Sequence, residues 1–175
     1  MTTATMKRIG AQQLAALAEQ LDTVDRHLLE LIDVHHYATT RQLAGLVNLG
    51  HAYASARSAL RQTARRLSRH RSLGLVDHLA RHIGGVRAGS SGFVWHLTEP
   101  GHRLLHPDSG RRRHSEPSLT FLNHTVAITE ARLVIQQTLE QTGDELLLLH
   151  TEPACWRSWL GPGGGTRWLK PNLEI

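Results

Sequence analysis

Residues Ala54 to Arg71, ASARSALRQTARRLSRHR, hold Arg57, Arg61, Arg65, Arg66, Arg69 and Arg71 and not one acidic residue. A helix brings positions four apart onto one side, so Arg57, Arg61, Arg65 and Arg69 line one face. Ala56, Leu60, Ala64 and Leu67 line another, which the spacing directs inward. The stretch predicts a helix with a basic face and an apolar face. Basic helix faces are common as merely solvated surfaces, so the neighbouring segments decide the reading.

Upstream, Val24, Leu28, Leu31, Ile32 and His35 fall on one side of a helix that Asp22 or Thr23 can cap. Before it, Leu14, Leu17, Ala18 and Leu21 mark a short leading helix over Gln12 to Leu21. After it, Thr39 or Thr40 caps a helix that turns Leu43, Ala44, Leu46 and Val47 inward and stops at Asn48, Leu49 and Gly50. A short helix, a tight turn and a longer basic helix, covered by an apolar one, is the order of a helix-turn-helix.

Downstream, Leu75 to Ile83 reads as a strand, Gly84 to Gly92 as a loop, and Phe93, Trp95 and Leu97 alternate as a second strand. A hairpin directly after a basic helix is where the wing of a winged helix lies, with Arg87 at its tip. A plain flexible turn is the other reading of that loop. Thr98 caps a further helical turn carrying Gly101, Leu104 and Leu105. Residues 106–117, HPDSGRRRHSEP, read as a polar, basic linker. A long helix is expected over Ser118 to Gln141, with Leu119, Leu122, Val126, Leu133 and Leu139 on one broad face and Gly143 ending it. Glu145 to His150 has the apolar continuity of a buried strand, and Arg167 to Ile175 reads as a final short one. The expected fold class is α+β: a winged helix-turn-helix over 1–105, a linker over 106–117, and a small α/β part over 118–175 that would be truncated.

A chain of 175 residues with 40% hydrophobic content suits one ordinary domain or two small ones with a buried core. The net charge of +5 is unevenly placed, because residues 34–98 hold nine arginines against the single acid Asp77. Such local polarity points to a polyanion. Eighteen Arg against two Lys favours planar bidentate contact with phosphate or guanine, although a GC-rich genome gives the same bias. The single Cys155 excludes an internal disulfide, and no run of about 20 apolar residues is present to span a membrane. MTTATMKRIG lacks the apolar centre of a signal peptide, so a cytoplasmic protein is expected.

From Thr23 onward, the ordered set of the helical segments, LTEPGHRLL, the linker, LNHTVAITEARLVI, TEPACWR and LKPNLEI resembles the replication-relaxation family of actinobacterial plasmid and mobile-element proteins. The resemblance implies an N-terminal winged helix, a C-terminal α/β part, and a role in plasmid replication or DNA relaxation. It also implies a distant similarity of the later part to nuclease-like folds in which a Pro-Asp pair supplies a metal-binding carboxylate. Here the pair is Pro171 and Asn172, and the chain reaches Ile175 before any following Glu-x-Lys.

The candidate DNA-binding residues are Arg41, Ser55, Arg57, Ser58, Arg61, Gln62, Arg65, Arg66 and Arg69 on the helices, with Arg87, Ser90 and Ser91 in the loop. The expected partner is double-stranded DNA, read by a homodimer whose paired half-sites extend a short footprint. No catalysis, metal or cofactor is expected. Glu130, Glu152 and Glu174 are available carboxylates, but the Asp and Lys that a metal nuclease needs are missing. His78 with His82, or His102 with His106, have spacings that place both on one side of a strand or helix, yet no Cys pair or HExxH accompanies them. Cys155 beside Trp156 reads as a structural thiol. GPGGGT at Gly161 lacks the Lys of a phosphate-binding loop and reads as a hairpin turn. Two alternatives stay open: a winged-helix transcriptional repressor, and a degenerate or truncated metal-dependent nuclease.

Overall fold

Local capping sets the frame of the first helices. The computed structural model describes residues 9–51, 53–79, 92–109 and 117–174. Helix α1 (Ala11–Glu19) buries Leu14 and Leu17. Helix α2 (Thr23–His35) begins in a reciprocal cap: the Asp25 N–H donates to Asp22 Oδ1 at 2.7 Å, and the Asp22 N–H to Asp25 Oδ2 at 3.4 Å. Its inward face carries Leu28, Leu29, Leu31 and Ile32. After the two-residue strand β1 (Ala38–Thr39), Thr39 and Gln42 cap α3 (Thr40–Gly50) in the same reciprocal way. The buried Gln42 amide also donates to the Val126 carbonyl at 2.9 Å, so a long-range bond satisfies it. Helix α3 continues through Gly50, past the stop expected at Asn48 to Gly50.

Helix α4 (Ala56–Ser72) follows with Ser55 as its cap, the Ser58 N–H donating to Ser55 Oγ at 3.1 Å. The face it buries corrects the one expected. Ala59, Thr63, Leu67 and His70 point inward, whereas Ala56 and Leu60 are exposed and Ala64 is half-buried. A helix this short of large apolar residues satisfies the same period with either stripe. Contacts made elsewhere, above all those of His70 with α2, select the stripe that is buried.

Strands β2 (Val76–His78) and β3 (Val94–Leu97) form an antiparallel pair with Val76 opposite Leu97 and His78 opposite Trp95. Strand β1 adds to the other edge of β3, giving the order β1-β3-β2. The Leu79 N–H extends the ladder to the Val94 carbonyl at 2.9 Å. The far half of the strand expected to reach Ile83, and the loop with Arg87, Ser90 and Ser91, lie outside the described residues. Trp95 Nε1 donates to Thr40 Oγ1 at 2.9 Å and ties the sheet to the start of α3. Tyr37, Val94 and Leu122 form a buried cluster with Leu79 and Val126 against it.

Thr98 caps α5 (Glu99–Leu105) as expected, accepting from the Gly101 N–H at 3.2 Å. Gly101 has a further reason to be glycine: a Cβ there would lie 1.9 Å from the Leu75 carbonyl oxygen. Helix α6 (Leu119–Thr142) ends at Gly143, whose φ of 78° lies in the left-handed region that favours glycine. The compact units divide inside α6, the first reaching Val126 and the second beginning at Ala127.

In the second unit the expected buried strand over Glu145 to His150 is corrected. Residues 145–149 have no regular structure, and Leu147 is 87% exposed. A continuous apolar run becomes a buried strand only when neighbours pair with it and cover both faces. Here pairing starts at β4 (His150–Thr151), which bonds to β7 (Leu173–Glu174). Strands β5 (Arg157–Leu160) and β6 (Thr166–Leu169) form a hairpin around Gly161 to Gly165, in keeping with the turn read there. The single strand expected over Arg167 to Ile175 is split into β6 and β7, because Pro171 between them offers no N–H to a ladder. Cys155 is buried and its thiol donates to the Pro171 carbonyl at 3.0 Å, which fits a structural thiol. The fold is α+β. No helix among the described residues is long and apolar enough to cross a membrane.

Candidate nucleic-acid interface

The arginines of α4 separate into two sets with different surroundings. Arg57, Arg61 and Arg65, spaced four apart, are all exposed, as is Gln62 beside them. Arg41 is exposed in the first turn of α3. Among the described residues none of these four arginines has an acidic partner. The first turn of α4 holds no acid, so its unbonded N–H groups add to the positive field. Ser55 and Ser58 stand at that end, with the Ser55 hydroxyl oxygen and the Ser58 N–H already joined in the cap.

The second set is tied into the fold. Arg66 Nη1 lies 2.8 Å from Asp22 Oδ2 and 2.6 Å from Asp25 Oδ1, and Arg69 Nη1 lies 3.0 Å from Asp25 Oδ2. Arg69 also donates to the Gln20 carbonyl at 3.3 Å. Asp25 is fully buried, and a buried carboxylate needs such partners. Burial works against the charge of Asp22, but the Asp25 N–H and Arg66 outweigh it and hold its carboxyl below the usual range. The same exchange raises Arg66 despite its burial. Arg71 pairs with Asp77 on β2 at 2.8 Å. Burial opposes that acid too, and the His78 N–H together with Arg71 keeps its pKa lowered. Two residues of the expected DNA-binding set, Arg66 and Arg69, are thus brought to α2 rather than joined to the free stripe.

His70 completes the buried end of α4. Its ring is fully buried, with Nε2 3.1 Å from Asp25 Oδ1 but out of line for a hydrogen bond. Burial pushes its pKa down, and the nearby Asp25 only partly offsets this. Nothing in the chain marks this role, because a histidine among arginines reads as one more basic residue. Beside α4 an open groove of about 610 Å³ runs toward the sheet, lined by Ala64, Ser68, Arg71, His78, Phe93 and Trp95.

The catalytic alternative places its carboxylate in the second unit. There Glu174 pairs with Arg157, and His150 Nδ1 lies 3.8 Å away. Lys170 Nζ sits 4.5 Å from the Trp156 ring and 5.6 Å from the Trp168 ring. Asn172 precedes β7 and is not in the strand. Of the histidine pairs singled out by spacing, His82 lies outside the described residues. The other pair is brought together: the His102 and His106 rings are 4.7 Å apart.

Comparison with curated proteins and with solved structures gives no match. A family model described as replication-relaxation matches residues 29–174, from the middle of α2 to the end of β7. With most of its length covered, the chain belongs to the replication-relaxation family.

Proposed function

We propose that this protein binds double-stranded DNA as a winged helix-turn-helix, with α4 in the major groove, in plasmid replication, relaxation or maintenance. The observation that carries the reading is the stripe Arg57, Arg61 and Arg65: exposed, four apart, and without acidic partners among the described residues. Cations that serve folding are paired, as Arg66, Arg69 and Arg71 are; an unpaired row on one helix face suits phosphates and base edges. The element order α2, α3, α4, β2, β3 supports the winged-helix reading. Family membership favours a replication role over transcriptional repression. Binding rather than catalysis is proposed, since Glu174 and Lys170 are engaged by Arg157 and by tryptophans. A homodimer would extend the short site that one such helix reads.

Fluorescence anisotropy on duplexes from the plasmid origin and from the protein's own promoter, across a salt series, tests the reading. Binding that weakens steeply with salt and is tightest on origin duplexes supports it. A preference for the promoter moves the role to repression, and the absence of duplex binding at low salt overturns it. Light scattering on free and DNA-bound protein reads the dimer.

A further inference from the structure

Helices α2 and α5 bring three metal-ligand side chains together. Asp33 lies near the end of α2, His102 is within α5, and His106 caps the end of α5. One ligand atom from each lies within 4.8 Å of the other two. His106 Nε2 is 2.6 Å from Asp33 Oδ2. Two ligands each about 2.1 Å from a tetrahedral ion stand about 3.4 Å apart, so Asp33 and His106 would part by roughly 1 Å to admit one.

We propose that Asp33, His102 and His106 bind a divalent first-row transition ion of the zinc type. The donor set decides the class. Two imidazoles suit zinc, nickel or cobalt and disfavour calcium and magnesium, which take all-oxygen sites. One carboxylate supplies anionic charge, and the half-exposed His106 leaves room for water in a fourth position.

Ser109 prepares one ligand. Its hydroxyl donates to the His106 carbonyl at 2.8 Å, so toward His102 Nδ1, 3.4 Å away, the same oxygen only accepts. In the tautomer that donates from Nδ1 to that oxygen, His102 Nε2 carries the lone pair that a metal needs. A hydrogen bond that fixes the tautomer in this way is a regular support of histidine ligands. The site joins residues 73 positions apart, so an ion there clips α5 to α2. It revises the expectation that the chain holds no metal, for a reason that spacing alone does not contain: the third ligand comes from another helix.

Co²⁺ titration of the full chain, freed of metal by chelator, tests the proposal by the visible absorption of tetrahedral cobalt, with Zn²⁺ competition and a melting curve as second readouts. One equivalent bound, displaced by Zn²⁺ and accompanied by a higher Tm, is expected. His102→Gln and His106→Gln should each weaken it at least about tenfold, since loss of an outer partner alone costs that much. His27→Gln, at the separate pair where the His27 and His51 rings are 5.4 Å apart, should leave it unchanged. Equal binding in all variants, or no tetrahedral spectrum at micromolar Co²⁺, shows that Asp33 and His106 are an ion pair only. Circular dichroism confirms that each variant is folded.

Discussion

Arg66 on α4 reaches Asp25 in the first turn of α2, its Nη1 2.6 Å from an Oδ1 that is buried from water. Arg57, Arg61 and Arg65 on the same helix are exposed, so α4 carries one set of cations for its own placement and another open to solvent. Arg66→Ala should lower stability by about 3 kcal/mol, the low end for breaking a buried pair, because Arg69 still reaches the same carboxylate. Chemical denaturation reads this directly, and a change below about 0.5 kcal/mol would make the pair a surface ornament.

Arg61→Ala and Arg65→Ala should show the opposite profile, with a stability near wild type and weaker DNA binding. A lost base contact costs about 1–3 kcal/mol and relaxes the preferred site; a lost phosphate contact weakens all duplexes alike and lowers the salt slope by about 1. If both variants bind as tightly as wild type while folded, α4 is not the interface.

Acid should loosen the base of α4 through His70. Its pKa is lowered in the folded state by burial, so below about pH 6.5 the unfolded chain takes up a proton that the folded chain resists. The stability it contributes is complete above that pH and is lost as pH falls toward the depressed folded value. Between pH 7 and pH 5, wild type should lose up to about 1.4 kcal/mol per pH unit more than His70→Asn. Parallel pH profiles for the two proteins would assign the acid sensitivity to other groups.

Gly101→Ala should destabilise the first unit by about 1–3 kcal/mol or more, since the new methyl would meet the Leu75 carbonyl at 1.9 Å and one backbone must move. The comparison is with Gly163→Ala, where nothing lies within 4 Å and the melting temperature should hold or rise. Equal melting temperatures in the two variants would place α5 further from Leu75 than it stands here.

Supercoiled plasmid incubated with the protein and Mg²⁺ or Mn²⁺ should stay uncut. Glu174 is held by Arg157, and the residue at the carboxylate position is Asn172, whose neutral oxygen gives an ion no compensating charge. Nicking that disappears in Glu174→Ala would restore the nuclease reading.

Features governed by local rules were legible in the chain. Capping residues Asp22, Thr39 and Thr98 precede apolar or amphipathic runs, and each helix starts where its cap stands. Gly143 and the Gly161 to Gly165 turn are legible for the same reason: a left-handed or tight backbone admits few residue types. The four-residue spacing of Arg57, Arg61 and Arg65 was also legible, because it is a property of one helix; that Arg69, in the same row, is paired was not.

Tertiary structure alone decided which side of α4 faces inward, and with it the fates of Arg66, Arg69 and His70. All three look basic in the chain, and only the arrival of Asp25, more than forty positions away, distinguishes them from Arg61 and Arg65. It likewise decided that Leu147 is exposed, since a strand exists only by virtue of its neighbours. Asp33 joins His102 and His106 for the same physical reason: periodicity fixes which residues share a face, whereas which two faces meet depends on packing between distant segments.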